Sequence, residues 1–282
     1  MRVLLTGSSG QVGTEFRRRA AHLDVLAPTR EEFDLARPET LERWLQAQWP
    51  QLIVNAGAFT AVDRAEDEEA LALRINGDAV QALASFANAA DIPLLQLSTD
   101  YVFDGTRSSP YTESDSPNPA SAYGRSKAAG ESAARSARQH AILRLSWVFA
   151  SHGSNFVRTM LRLARQQQHL RVVDDQFGGP TWAGHVADAL HAWIDAFAAG
   201  RTPPSGTWHF SGTPHTSWHA FACELLAQAH RRGLIDTLPR VEAIASSEYP
   251  TRARRPANSR LDSTITRRTL GLQPADWREG LA

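Results

Sequence analysis

The chain opens MRVLLTGSSGQVG, an apolar run that passes directly into glycines and then into a stretch of helical periodicity. Gly7, Gly10 and Gly13 form a GxxGxxG at that junction. Between a strand and a helix, glycine lets the backbone approach a pyrophosphate at the positive helix N-terminus, so this opening constrains the chain toward a dinucleotide-binding α/β core. The form GxGxxG would need glycine at position 9, where Ser9 follows Ser8, so the fingerprint departs from the standard dehydrogenase one.

Apolar runs suited to strands, Arg2 to Thr6, Leu23 to Ala27, Leu52 to Ala56, Leu94 to Ser98 and Ile142 to Trp147, alternate with helix-like stretches. That alternation is the pattern of βαβ units. Val12, Phe16 and Ala20 recur at helical spacing, and Asp67 to Ala90 is long enough for a major helix. The expected fold is α/β, a Rossmann-like doubly wound parallel sheet over residues 1–150. Residues 151–282 are expected to form mainly a smaller, partly interleaved C-terminal substrate lobe, with some segments returning to the first domain. Its expected elements are helices over Asn155 to Gln168, His185 to Ala199 and Trp218 to Arg231, with a short strand over Thr207 to Ser211. Pro110, Pro117 and Pro119, set among serines, mark a loop before YGRSK that covers the expected reaction site.

Thirty basic and thirty acidic side chains cancel, which argues against a general polyanion binder, and nucleic acid is not an expected partner. Cys223 is the single cysteine, so an internal disulfide is impossible and a cytoplasmic setting is expected. MRVLLTG meets polar glycines too soon for a signal peptide or a membrane span. The ten histidines are scattered, and no metal is expected.

Tyr123 and Lys127 stand four residues apart in YGRSK, and Thr99 lies 24 positions before Tyr123 in LSTDYVF. On a helix, residues i and i+4 share a face, so the Lys127 ammonium is expected to favour ionised Tyr123 and make that phenol a usable proton donor and acceptor. With the glycine turn, this points to a nicotinamide-dependent oxidoreductase. Beyond the second strand a carboxylate would hold the ribose diol of NAD, and an arginine the 2′-phosphate of NADP. Arg30 favours NADPH there, while Glu31 and Glu32 leave NADH open. Asp34 and Leu35 are placed to contact the adenine, and Asn55 to Ala58 supply small residues near the nicotinamide ribose.

GxxGxxG, NAGA, Thr99 just past its strand, and YxxxK resemble the extended short-chain dehydrogenase/reductase family. Within it, GSSGQVG, NAGAFTAVDRAE, STDYVFDG, PYTESDSPNPASAYGRSKAAGE, ILRLSWVF, NFVRTMLRLA, DQFGGPT and RPANSRLD, in that order, resemble the dTDP-4-dehydrorhamnose reductases. The resemblance implies reduction of the 4-keto group of dTDP-4-dehydro-L-rhamnose with NADPH or NADH, giving dTDP-L-rhamnose for cell-surface polysaccharide. By it, Tyr123 is the acid, Lys127 lowers its pKa and holds the nicotinamide ribose, and Thr99 donates to the reacting oxygen. It further implies that Gln11 and Val12 touch the pyrophosphate and that Ala58, Phe59 and Thr60 line the cofactor. Thr99 and Asp100 would meet the sugar, with Trp147 beside it. Arg255 would face the nucleotide diphosphate, a solvated basic run of Arg252, Arg254 and Arg255 being the competing account.

Related dehydratases place an acid pair after the threonine, whereas Asp100 here is followed by Tyr101. A monomer or a homodimer is expected. Some members form dimers through a magnesium ion held by carboxylates; only Glu15 stands in a plausible place, so neither that ion nor that dimer is inferred. A non-catalytic NADP-binding regulatory subunit of methionine adenosyltransferase, or a nucleotide-sugar epimerase or dehydratase, are the alternative readings. The intact Thr99, Tyr123 and Lys127 set favours the reductase.

Overall fold

A computed structural model describes residues 1–201 and 203–282. The first five strands, β1 (Arg2–Thr6), β2 (Asp24–Leu26), β3 (Leu52–Asn55), β4 (Leu94–Thr99) and β5 (His140–Leu145), lie parallel in the order β2-β1-β3-β4-β5. The near-continuous burial of β1, β3, β4 and β5 suits strands covered on both faces. Because side chains alternate along a strand, Val3 and Leu5 enter one core with Val12 and Phe16, while Leu4 enters the other with Leu41, Leu45 and Leu83. The order reverses between β1 and β3, which opens a crevice at their carboxyl ends, Thr6 beside Asn55.

Helix α1 (Gln11–Arg19) follows the glycine turn, and α2 (Pro38–Gln48) starts on a proline, whose fixed φ and missing N–H suit a first helical turn. The long helix expected over Asp67 to Ala90 is a succession. A short α3 (Val62–Ala65) precedes α4 (Glu69–Leu73), a π-helical turn over Arg74–Asp78, and α5 (Ala79–Ala90). Helix α6 (Ala122–Ala134) carries YGRSK, its start fixed by the Ser121 hydroxyl, which accepts from the Gly124 N–H.

The fifth strand ends two residues before Trp147, because Trp147 takes a left-handed φ of 48°. The chain then makes β6 (Val148–Phe149), α7 (Phe156–Ala164), β7 (His169–Val173), β8 (Phe177–Gly178) and β9 (Thr181–Trp182). Helix α8 (Ala183–Ala198) packs back on α1, and β10 (Gly206–Phe210) pairs with β5 as the sixth parallel strand. The strand expected over Thr207 to Ser211 therefore completes the main sheet. After β11 (Thr216–Ser217) come α9 (Trp218–Arg231), β12 (Arg240–Ile244), paired with β7, and α10 (Thr264–Leu270). Phe149, Met160, Phe221, Leu225 and Trp277 form the separate core that holds α7 and α9. Among the described residues no helix is long and apolar enough to cross a membrane.

Candidate active site

The crevice between β1 and β3 widens into a cleft of about 910 Å³. Gly7 adopts a φ of +63°, and a Cβ there would stand 2.6 Å from the Gly57 nitrogen; a Cβ on Gly13 would stand 2.2 Å from the Gly7 carbonyl oxygen. Neither position admits a side chain. The Gly7 and Ser8 backbone lines the cleft at the start of α1, whose N-cap Gly10 offers no side-chain cap, and unpaired N–H groups at such an end favour a pyrophosphate. The cradle thus fits a dinucleotide.

Arg30, Asp34, Leu35, Ala58, Phe59 and Thr60 line this cleft, and Arg30 sits exposed with its Nε 3.6 Å from Asp34 Oδ1. Gln11 and Val12 lie elsewhere. The Gln11 side-chain oxygen accepts from Asn155 Nδ2 at 2.8 Å, and Val12 is buried in the core, so any pyrophosphate contact of theirs is confined to the backbone. Arg17 and Arg64 also line the cleft, although no motif in the sequence points to either.

The cleft loop is tied to the YGRSK helix by Asn76, a residue the sequence reading also passed over. Its side chain accepts from the Phe59 N–H at 2.8 Å and donates to the Phe59 carbonyl at 3.1 Å and to Ser126 Oγ at 2.9 Å. Ser126 in turn donates to the Tyr123 carbonyl at 2.8 Å. Asn76 lies in the π-helical turn, a distortion that often marks functional sites.

At the carboxyl end of β4 the structure gathers Thr99, Asp100, Tyr101, Tyr123 and Lys127. Tyr101 and Tyr123 meet edge-on with ring centres 5.6 Å apart. Burial pushes the Tyr123 phenol well above its ordinary value, the Asp100 and Tyr101 charges add to that, and the opposing influence is the Thr99 hydroxyl. The expected lowering by Lys127 does not operate here. Lys127 is itself buried, donates Nζ–H to the Leu97 carbonyl at 2.7 Å, and is brought down to about 8 by burial, against the Glu131 charge. Desolvation disfavours each charged form, so the phenol stays protonated and the ammonium is weakened.

Thr99 Oγ1 donates to Asp100 Oδ1 at 2.8 Å and accepts from the Tyr101 N–H at 3.2 Å. Burial raises the Asp100 carboxyl to about 6 against the Ser259 and Thr99 hydroxyls. Although Ser259 lies close enough to lower it, no hydrogen bond of good geometry reaches Oδ2, which is buried without a partner.

Arg255 lies inward of Arg252 and Arg254, half-buried, with Nη1 3.3 Å from the Tyr101 hydroxyl and Nη2 2.6 Å from Asp63 Oδ2. It stands one side chain from Tyr123, with part of its charge answered by Asp63. Trp147 follows β5 at the same edge, and its ring stacks on Trp218 at 3.6 Å. A Cβ on Gly178 would stand 2.4 Å from the Trp147 ring, so that glycine makes room for the indole.

Among the described residues no group of three or more His, Cys, Asp or Glu is arranged to hold a metal ion, although His215 and His219 stand four apart. Glu15, the one candidate for a magnesium ligand, has its two oxygens taken by Arg18 at 2.7 Å and Arg19 at 2.6 Å. Those contacts do not fit a carboxylate-held cation.

Lys127 is the chain's single lysine, the other twenty-nine basic residues being arginine. In so arginine-biased a chain, one retained lysine is a compositional signal that the motif spacing leaves unused. Arginine cannot deprotonate in proteins, whereas a buried lysine shifts its pKa readily.

A family model described as the RmlD substrate binding domain matches residues 1–282. A dTDP-4-dehydrorhamnose reductase from Burkholderia thailandensis is 44% identical, over 99% of this chain and 96% of the relative. Among solved structures, a dTDP-4-dehydrorhamnose reductase from Clostridium acetobutylicum superposes with a TM-score of 0.90 at 32% identity, over 100% of this chain and 97% of that one. One from Bacillus anthracis, in complex with NADP, gives a TM-score of 0.87 at 30% identity, over 99% of this chain and 96% of that one.

Proposed function

Because the chain belongs to the RmlD substrate-binding-domain family, that of the dTDP-4-dehydrorhamnose reductases, we propose that it reduces the 4-keto group of dTDP-4-dehydro-L-rhamnose to give dTDP-L-rhamnose, a polysaccharide precursor. It is an NAD(P)H-dependent oxidoreductase, with NADPH as cofactor and NADH possible. The observation that carries the reading is the joint burial of Thr99, Tyr123 and Lys127 at the carboxyl end of β4, on the sheet edge that continues from the Gly7 cleft.

The Gly7 and Ser8 backbone with Arg30, Leu35 and Ala58 would hold a reduced nicotinamide dinucleotide along the cleft, and that group would supply the hydride for the carbonyl carbon. Tyr123, held protonated by burial, gives its phenolic proton to the carbonyl oxygen, which becomes the new hydroxyl. Thr99 turns its hydroxyl from Asp100 toward the same oxygen and stabilises the charge that develops there. Lys127, one turn along α6 from Tyr123, holds the cofactor ribose. Asp100, Trp147 and Arg255 meet the sugar nucleotide, the unpartnered Asp100 Oδ2 being an acceptor ready for a sugar hydroxyl.

A protonated phenol suits the reducing direction, where the enzyme must donate. The substrate lobe is formed mainly by residues after 150, with α8 and β10 returned to the first domain. We further place the reaction in the cytoplasm, where Cys223 stays a free thiol, and assign a monomer or homodimer, which sedimentation would distinguish.

Mixing the protein with NADPH and dTDP-4-dehydro-L-rhamnose should oxidise one cofactor per sugar reduced. If no 4-keto nucleotide sugar consumed the cofactor, the assignment would fall.

A further inference from the structure

Tyr123, Lys127 and Glu131 follow one another at spacings of four on α6, so they share one face of that helix. Glu131 and Arg144 are each only 1% exposed. Arg144, from β5, grips the carboxylate with Nε to Oε1 and Nη2 to Oε2, both 2.7 Å. Ser98 Oγ donates to the same carboxylate at 2.7 Å and Arg135 at 2.9 Å. We propose that the buried Glu131–Arg144 pair is a positioning pair for the reaction, the Glu131 carboxylate standing one helical turn behind Lys127 and keeping that ammonium charged, while neither residue touches cofactor or substrate.

Two adjacent residues of β4 hold the two ends of the device. The Leu97 carbonyl accepts from Lys127, and the next side chain, Ser98, donates to Glu131, so the helix register against the strand is set at both charges. Burial strips the ammonium of water, and among the described residues the Leu97 carbonyl is its one acceptor. Glu131 supplies the charge that opposes its neutralisation. Arg144 and Arg135 in turn hold Glu131 below the usual carboxylate range despite its burial.

The other titratable neighbours do not perform that task. His209, from β10, faces Arg144 Nη1 at 3.3 Å and is kept neutral, burial and the Arg144 charge bringing it down to about 4. Glu113 accepts from the His209 N–H, and burial raises its carboxyl. Asp262 acts on His209 and Glu113, while Asp100, Tyr101 and Tyr123 lie on the reacting side. On the remaining side Arg144 faces the Phe103 ring at 4.8 Å. A fully buried ion pair is weak evidence for stability, since apolar replacements of similar volume often serve as well, so its place one turn from Lys127 calls for a role in the site.

Given Lys127's role as assigned above, the single lysine makes a direct test possible, because protein labelled with ¹³C at lysine Cε gives one side-chain signal to titrate without assignment. Glu131→Gln leaves Arg144 buried and unpaired and risks unfolding, so Glu131→Leu combined with Arg144→Leu removes both charges together. Where it folds, Glu131→Gln should lower the Lys127 midpoint from about 8, the double variant, which also removes the opposing Arg144 charge, should lower it by less, and the alkaline limb of kcat/KM for the cofactor should move down in step. An unmoved midpoint in a folded double variant overturns the pair's role. The titration needs no substrate. A shifted midpoint in a protein that reduces no 4-keto sugar faults the assigned reaction and upholds the pair, whereas an unmoved midpoint in an active enzyme faults the pair alone.

Discussion

At the Gly7 cleft the site is walled by backbone, small residues and exposed arginines, whereas at the end of β4 Thr99, Asp100, Tyr123 and Lys127 are all at least nine-tenths buried. The first is defined by shape: Gly7 and Gly13 admit no side chain, and Arg30 stands in solvent. The second works through desolvation, which raises Tyr123 and Asp100 and lowers Lys127. Substitutions at the two ends should therefore fail differently. Those in the buried set should alter rate and pH dependence, and those in the open cleft should alter which cofactor is preferred.

The sharpest separation comes from Tyr123→Phe, which removes the proton donor and leaves the ring's contact with Tyr101. Turnover should fall by roughly two to four powers of ten, with cofactor affinity nearly unchanged. Stopped-flow oxidation beside a cofactor titration measures both. Near-normal turnover would remove Tyr123 from the mechanism.

Lys127→Met comes next. In the intact enzyme Lys127 loses its proton near pH 8, so kcat/KM for the cofactor should decline as pH rises through that value and be fully expressed below it. The variant should bind cofactor about tenfold to a hundredfold more weakly, as expected for losing a hydrogen bond to a charged group. It should also lose the decline. A variant keeping the same alkaline limb would show that another group titrates there.

Asp100→Asn tests the buried set through stability. Burial brings the folded carboxyl up to about 6, above its ordinary value of 3.8, so the native state binds the extra proton between those values. Stability conferred by that protonation is present at low pH and is lost as pH rises through about 6. Asparagine keeps the acceptor for Thr99 without the charge, so the variant should be more stable than the parent at neutral pH by about 3 kcal/mol. The advantage should shrink between pH 6 and 4. Thermal denaturation across that range decides it, and a constant difference would show that Asp100 does not titrate as its burial requires.

The same contrast explains what the sequence reveals. The glycine turn is legible because its whole mechanism lies within thirteen consecutive residues, and Tyr123 with Lys127 because one helix imposes their spacing. Asn76 is not legible, since its partners Phe59 and Ser126 lie 17 and 50 positions away and meet it only once the sheet is formed. The Trp147 and Trp218 stack depends likewise on two remote segments and on the space left at Gly178. Charge effects read from spacing are the least secure. Four residues on a helix suggest a lysine that favours phenolate, but desolvation, which no local spacing encodes, sends Tyr123 the other way. The return of β10 to the main sheet is hidden for a related reason, because its partner β5 lies some sixty residues earlier and the pairing is non-local.

The smallest effect belongs to the open cleft. Arg30 is 76% exposed and only loosely paired with Asp34, so its attraction for a 2′-phosphate is screened by water and salt. Arg30→Ala should narrow the preference for NADPH over NADH by only about twofold to fivefold, the range of an exposed ion pair, and the effect should fade as salt is added. Arg17 lines the same cleft. An unchanged cofactor ratio in Arg30→Ala, followed by a drop in Arg17→Ala, would move the phosphate site to α1, close to the helix end that receives the pyrophosphate. Insensitivity of both single variants and of their combination would mean that the cleft distinguishes the cofactors by shape alone, extending to the 2′-position the mode of recognition that Gly7 and Gly13 impose at the pyrophosphate.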